Sequence, residues 1–250
     1  MVTVHYFFDP MCGWCYGASS LIEQLNQRDG VSLVLHPGGM VANRAIDPSF
    51  RQHILQHDQQ IARETGAEFG DAYVARIKST APIVMDSYLT AQAILATDTV
   101  GGDPLEMLRA IQQGHYRDGL AVNQIDTLAA LTEEIGLDES AWRAAMTANE
   151  AQLHGTITRT RQLMTQYQVS GYPTLMLETE QGWQKVAPSS FYRREAQWQG
   201  YWDGVLATDA SVNTAEISVM KQINMAGECR PWEAVMRCAF GTGHALYASL

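Results

Sequence analysis

The sequence predicts an α/β fold interrupted by a long all-helical block, and three observations carry that reading. Residues 2–36 run strand, helix, strand; the stretch from about Ser49 to Gln168 has helical periodicity with little strand signal; and β-rich sequence returns at Pro173. A β-α-β opening this short implies a parallel pair in an α/β sheet. A helical block bounded at both ends by sheet sequence reads as an insertion.

Val2 to Phe8 is short and rich in β-formers, a candidate central strand, and Asp9-Pro10 stops it. Ala18 to Gln27 predicts a helix with Leu21, Ile22 and Leu25 on its inner side, ended by Gly30, and Val31 to Leu35 is the second strand. His36-Pro37-Gly38-Gly39 is a loop. In the helical block, Asp86 or Ser87 caps a helix carrying Leu89, Ala93 and Ile94. Asp103-Pro104-Leu105-Glu106 is a cap, a proline at the first helical position and a glutamate at the third. Asp126 is expected to cap a helix closed by Gly136, Asp138 caps the next, and a last helix holds Leu153, Ile157, Met164 and Tyr167. Pro173 to Glu178 and Trp183 to Ala187 read as an antiparallel hairpin, and Ser190 as the start of a helix with Phe191, Arg194 and Trp198. Cys229-Arg230-Pro231-Trp232 opens a short helix ending near Cys238. The expected organisation is a first α/β part over 1–48, an inserted helical domain over 49–168, a second α/β part over 169–206 and a helical extension over 207–250.

A net charge of -10 makes nucleic acid a poor partner, because phosphate repulsion opposes binding and no basic stripe overrides it. No apolar stretch approaches the ~20 residues of a membrane span. The N-terminal MVTVHYFF lacks a basic segment before its apolar run, so it reads as a strand and the cytoplasm is the expected compartment. Four cysteines in 250 residues are too few for a disulfide-built scaffold, so any redox role is local.

Cys12 and Cys15 enclose Gly13-Trp14 just after the first strand. A C-x-x-C pair at a helix start suits disulfide exchange: helix-terminal amides stabilise the first thiolate, and the second cysteine, one turn on, resolves the mixed disulfide. Cys12 is then the nucleophile, Cys15 the resolving thiol, with Trp14 covering the site and Gly13 leaving the approach open. Two other readings stand beside it. A structural zinc needs four ligands, while Cys229 and Cys238 are poorly spaced and His5, His36 and His154 are scattered. Core packing is disfavoured by the Asp, Pro and Gly around the pair. Far along the chain, Pro173 stands where a strand should begin. As a trans proline it is an ordinary strand start; as a cis proline it presents the backbone of Tyr172 to an extended peptide lying across Cys12.

FFDPMCGWCYG at 7–17, IQQGHYRDGLAVNQIDTLAALTEEIGLD at 111–138 and GYPTL at 171–175 together resemble the DsbA family of thioredoxin-like proteins, in its cytoplasmic FrnE-like branch, related to 2-hydroxychromene-2-carboxylate isomerases. The resemblance runs in order over roughly residues 2–205. It implies a thioredoxin fold with a helical domain inserted before a cis-proline strand, Cys12 as nucleophile, Cys15 as resolving partner and Pro173 as the cis-proline. It further implies protein or peptide thiols and disulfides as partners, glutathione as a co-substrate and no other cofactor. The chain departs from the branch at Gly13, usually proline, and at Tyr172, usually small and aliphatic, so potential and substrate preference are not inherited. Glycine after the nucleophile resembles reducing thioredoxins, and the expected direction is reduction or isomerisation. Kappa-class glutathione transferase and isomerase relatives carry serine where Cys12 stands, so the C-x-x-C pair argues against that reading, which stays as the enzyme alternative. A peptide-binding chaperone with a structural metal is the non-enzymatic one.

Further candidates have plain structural readings beside them. Asp9 is expected to cap the helix or to modulate the thiols. His5 could accept a proton from Cys15, and His36 modulate the site from the end of the second strand. Tyr16 and Tyr116 could line the groove between domains or pack in the core. Cys229 and Cys238, about 13 Å apart if helical, are expected as separate thiols. The helical block is expected to lie over Cys12 as a lid, above an apolar cleft lined by Trp14, Tyr172 and Met40.

Overall fold

The computed structural model describes residues 1–180 and 182–209; the segment holding Cys229 and Cys238, and the helical extension from residue 210 on, lie outside it. A four-stranded sheet has the order β2-β1-β5-β6, with β1 Val2–Phe8, β2 Val31–Pro37, β5 Thr174–Thr179 and β6 Gly182–Val186. β1 pairs in parallel with β2 from Val2↔Val31 to Phe8↔Pro37, and antiparallel with β5 from Val4↔Leu177 to Phe7↔Thr174. Its nearly unbroken apolar sequence follows from that central place, since a strand covered on both faces has no solvent side to alternate with. β5 and β6 form the expected hairpin.

Between β1 and β2 lie two helices where one was expected, α1 Gly13–Gly17 and α2 Ser19–Asn26, with Ala18 ending the first and starting the second. Leu21, Ile22 and Leu25 of α2 are buried as the periodicity requires. The helical block comprises α3 Pro48–Thr65, α4 Asp71–Lys78, α5 Ser87–Thr99, α6 Pro104–Tyr116, α7 Ile125–Glu134, α8 Glu139–Ala148 and α9 Glu150–Gln166. The architecture is thus a thioredoxin-like α/β core with an inserted all-helical part. Asp86, Asp103 and Asp138 cap their helices with side-chain bonds to the first-turn amides. Asp47 does the same for α3, where Pro48 takes the first position.

Three local expectations change. The cap of α7 is Gln124, which stays extended; Asp126 falls inside the first turn, where its charge still suits the helix terminus and pairs with Arg143 at 2.8 Å. Ser190 lies in a 3-10 turn, Pro188–Phe191, and the helix begins at residue 195, so Phe191 meets Trp198 edge-on from outside the helix. A two-residue ladder joins β3 Arg44–Ala45 to β4 Val84–Met85, too short for any periodicity to reveal. The sheet and helices up to Tyr201 form one compact unit. A second begins at Trp202, of which residues 202–209 are described, as helix.

The C-terminal half of α9 covers one face of the sheet: Leu163, Met164 and Tyr167 pack with Phe7, Val169, Met176 and Trp183. On that face His5 Nδ1 and His36 Nε2 share a hydrogen bond of 2.9 Å, and His5 stacks on Trp183 at 3.8 Å. One nitrogen of such a bond must be unprotonated, so the two rings cannot both be cationic. Burial is the main cause lowering His5, and burial followed by His5 and Arg159 lowers His36 to about 4. Burial likewise lowers His115, to about 3.

The folded pKa of His36 lies below the unfolded value of about 6.5, so folding favours the neutral ring. That contribution is complete above pH ~6.5 and is lost as pH falls toward the folded value. Asp58, raised to about 6 by burial, acts in the opposite sense, gaining stability on protonation. Asp9, also raised by burial, acts as Asp58 does; three lowered histidines, two of them to about 4 and about 3, against these two carboxylates predict a net loss. The urea midpoint of the wild type should fall between pH 7 and pH 4.5, and His36→Asn should lose visibly less over that interval. Equal losses in the two chains would remove His36 as a source of the acid sensitivity.

Candidate active site

β1 ends at Phe8, and Asp9-Pro10-Met11 turns the chain so that Cys12 caps α1 in an extended conformation. Both cysteines are free thiols; Cys12 is 8% exposed and Cys15 fully buried. Cys12 is held below the ordinary thiol range chiefly by a hydrogen bond from the Cys15 side chain. Burial opposes this, the Cys15 and Trp14 amides add to it, and the charge of Asp9 works against it. Cys15 is pushed up by burial first, then by Cys12. α1 is only five residues long, so the local donors, rather than an extended helix dipole, favour the Cys12 thiolate. The arrangement gives one thiol ready to attack and a second that keeps its proton until needed.

The Tyr172-Pro173 bond is cis, and the Tyr172 carbonyl accepts from Cys12 Sγ at 3.8 Å across 160 residues of sequence. The Tyr172 side chain takes a different course from the one expected. Its hydroxyl meets Met164 Sδ at 3.0 Å, and its ring lies against Gly38, where an added Cβ would come within 2.0 Å of it. The ring therefore packs between α9 and the loop after β2 and does not line the cleft.

Asp9 does not cap α1. Its buried carboxylate accepts from the Met11 amide at 2.9 Å, the Met40 amide at 2.5 Å and Ser87 Oγ at 2.7 Å. Burial raises its pKa against these bonds. It acts on both thiols only through its charge and its backbone. His5 and His36 pair with each other beside Trp183, while the neighbouring strand residue Tyr6 is raised by burial first and then by the charges of Cys15 and Cys12.

A cleft of about 520 Å³ opens at Cys12, bounded by Gly13, Trp14 and Met40 on one side and by α3 on the other. α3 contributes Phe50, His53, His57, Asp58 and Ile61. Tyr116 lines this cleft and donates to the Met11 carbonyl at 2.8 Å; Tyr16 stacks behind it and donates to Glu68 instead. Asp58 accepts from Tyr73 Oη at 2.7 Å. A Cβ at Gly13 would meet Ile61 at 2.9 Å and Asp58 at 3.3 Å, so the glycine lets α3 approach the cysteine pair. Asp58 and Tyr73, which pair 15 residues apart, were not singled out from the sequence, and Ser87 was read only as an alternative helix cap, since its partner Asp9 is 78 residues away. Among the described residues no group of three or more His, Cys, Asp or Glu side chains is placed to hold a metal, and no helix is long and apolar enough to cross a membrane.

The model of the DSBA-like thioredoxin domain matches residues 3–193. Among solved structures, the cytosolic disulfide reductase DsbM from Pseudomonas aeruginosa is 31% identical, with a TM-score of 0.76 over 82% of this chain and 99% of that one. Its structure with GSH matches at 31% identity and a TM-score of 0.75 over the same shares, 82% and 99%. DsbA from Pseudomonas aeruginosa, at 13% identity and a TM-score of 0.50 over 85% of this chain and 86% of that one, shares the fold. No curated protein sequence matches the chain.

The Cys15 side chain is the largest single influence lowering Cys12. In peptide-resolved alkylation with iodoacetamide, the pH of half-reaction at Cys12 should lie below that of a free thiol. It should rise in Cys15→Ala, while Cys15→Ser, which retains a donor, should stay closer to the wild type. An unchanged midpoint in Cys15→Ala would assign the effect to the amides alone.

Proposed function

The chain belongs to the DSBA-like thioredoxin family, and from that premise we propose that it is a cytoplasmic disulfide reductase acting on protein or peptide disulfides, with glutathione as thiol partner. Its closely spaced Cys12 and Cys15 give it an oxidoreductase chemistry. The observation that carries the finer reading is the setting of Cys12. This thiol, favoured as thiolate, sits between the carbonyl of Tyr172 and an apolar cleft of about 520 Å³.

Cys12 attacks one sulfur of the substrate disulfide. That S–S bond breaks, and the departing sulfur leaves as a thiolate and takes a proton. Cys15 then loses its proton and attacks Cys12, releasing the second substrate thiol and leaving Cys12–Cys15 oxidised. A thiol reductant returns the pair to its dithiol form. Gly13 and Trp14 form the mouth of the cleft, and in this reading the backbone at Tyr172 and Pro173 pairs with an extended peptide beside Cys12, which the cis bond and the Tyr172 carbonyl next to Cys12 support. The Tyr172 side chain, turned to Gly38, serves that backbone by packing.

The named activity of DsbM and its structure with GSH support both the reducing direction and glutathione. The cleft is of a size for a tripeptide. A transferase of the kappa type would need no resolving thiol, and Cys15 hydrogen-bonded to Cys12 speaks against it.

Insulin reduction, with glutathione or dithiothreitol as electron source, tests the proposal. The wild type should accelerate it, and Cys12→Ser should lose at least about 100-fold of that acceleration, the loss of a nucleophile rather than of a binding contact. Equal rates for the two would end the reading. A redox titration of the pair tests the direction: a potential above about -150 mV would mark an oxidant instead.

A further inference from the structure

Asp58 of α3 is only 6% exposed, yet it stands in the wall of the cleft at Cys12. Its two oxygens have different surroundings. Oδ2 accepts from Tyr73 Oη at 2.7 Å. Oδ1 faces the cysteine loop, where a Cβ built on Gly13 would lie 3.3 Å from it. One Cα–Cβ bond and one Cα–Cα step then place that oxygen within about 9 Å of the Cys12 Cα. Among the described residues the bond from Tyr73 is the only protein hydrogen bond to this carboxylate, and no cation pairs with it. Burial raises its pKa to about 6 against that bond, so above pH 6 a carboxylate stands in the cleft wall.

A buried charge with a single donor is costly to hold. A substrate that brings a cation to Oδ1 lowers that cost, and one that brings an anion raises it, so the carboxylate discriminates by charge. The neighbouring elements do not supply the cation themselves. Tyr73 of α4 and Tyr116 of α6 face Asp58 as neutral phenols, each raised first by burial and further by the Asp58 charge. His115 of α6 is neutral, lowered by burial to about 3, and its Nδ1 has no protein partner. Arg76 of α4 donates to the Leu120 carbonyl at 2.6 Å instead. At the exposed rim Arg44 and Asp47 carry opposite charges, and Asp47 accepts from Ser49. His53 and His57, exposed on α3, and Cys12 itself complete the ionisable groups of the wall.

We propose that Asp58 is a substrate-binding residue of this cleft: its Oδ1 receives an ammonium or other cationic donor carried close to the substrate disulfide, and the protein thereby prefers cationic disulfides to anionic ones. The inference rests on the disulfide-exchange reading above and deepens it by naming the charge class of the substrate. A peptide cysteine flanked by lysine or arginine, or one whose own α-amino group is unblocked, belongs to that class. Gly13 is part of the same device, because a side chain there would meet Asp58 and Ile61 and move α3 away from the cysteine loop.

The test compares two small disulfides of matched length on the full chain. Cystamine places an ammonium, and 3,3′-dithiodipropionate a carboxylate, two carbons from each sulfur. Reduced protein is mixed with either one, acid-quenched at timed intervals and alkylated, and the peptide holding Cys12 and Cys15 is followed by mass for loss of its dithiol form. At pH 7.5 the ratio of the cystamine rate to the dithiodipropionate rate should fall by about tenfold or more in Asp58→Asn, the lower end of what a hydrogen bond to a charged group contributes. Asparagine keeps an acceptor for Tyr73, and a merely structural role would change both rates by one factor. An unchanged ratio therefore overturns the inference. In the wild type the ratio should also drop as pH falls through about 6 and Asp58 takes a proton, by more than in Asp58→Asn, where His53 and His57 still titrate. Should Asp58→Asn fail to fold, Tyr73→Phe decides. Without the phenol's bond the carboxyl holds its proton to higher pH, so the drop should move upward, and a drop at the wild-type pH overturns the inference. If neither disulfide converts the dithiol in the wild type, the exchange reading falls and the inference with it.

Discussion

The buried carboxylate of Asp9 holds three parts of the chain in one place. Met11 begins the cysteine loop, Met40 belongs to the segment after β2, and Ser87 opens α5; all three donate to it. A carboxylate taken from water loses several kcal/mol of solvation, and only a full set of donors makes such burial tolerable. The donors come from both the α/β core and the helical insertion, so the cysteine loop reaches its conformation only when the insertion is docked. Ser87 extends the link, because its own oxygen also accepts the Val41 amide. Arg161 of α9 adds a clamp from the other side, donating to the carbonyls of Gly38 and Gly39. The nucleophile is thus positioned by elements more than 70 residues away in sequence.

Cys12 and Cys15 show how little residue type decides by itself. Both are buried thiols of one short segment, and their protonation moves in opposite directions. Cys12 stands at the cleft and gathers donors; Cys15 lies one turn further in, against β1, and carries the cost of burial. The division of labour between nucleophile and resolving thiol follows from a rotation of a single helical turn.

The fold was legible where local chemistry and periodicity agree. The β1-α-β2 opening, the Asp-Pro start of α6, the caps at Asp86 and Asp138 and the β5-β6 hairpin all stand where residues 2–36, 103–104, 86, 138 and 173–187 indicate. The break at Ala18 and the β3-β4 ladder were not legible, because a kink of one residue and a pairing of two leave no period to detect. At the site, the cysteine pair and the proline were marked by spacing. The partners of Asp9, the packing of Tyr172 against Gly38 and the approach of Asp58 to Gly13 were not, since each joins residues whose separation only the tertiary fold closes. His5 and His36 looked like neighbours of the thiols because both flank the motif. The alternation of β1 instead turns His5 to the α9 side, where it meets His36 and Trp183.

The contact between Tyr172 and Gly38 constrains how this protein can change over generations of mutation. While the tyrosine is present, position 38 admits no side chain, since even a methyl group would overlap the phenol. While position 38 is glycine, a small aliphatic at 172 would leave a gap against Met164, and gaps in packed contacts cost stability. The two sites are therefore locked as a pair, and a lineage leaving this arrangement has to shrink residue 172 before it can enlarge residue 38. Because residue 172 also supplies the carbonyl beside the nucleophile, drift in the glycine loop after β2 is restrained by the same tyrosine that borders the reactive sulfur.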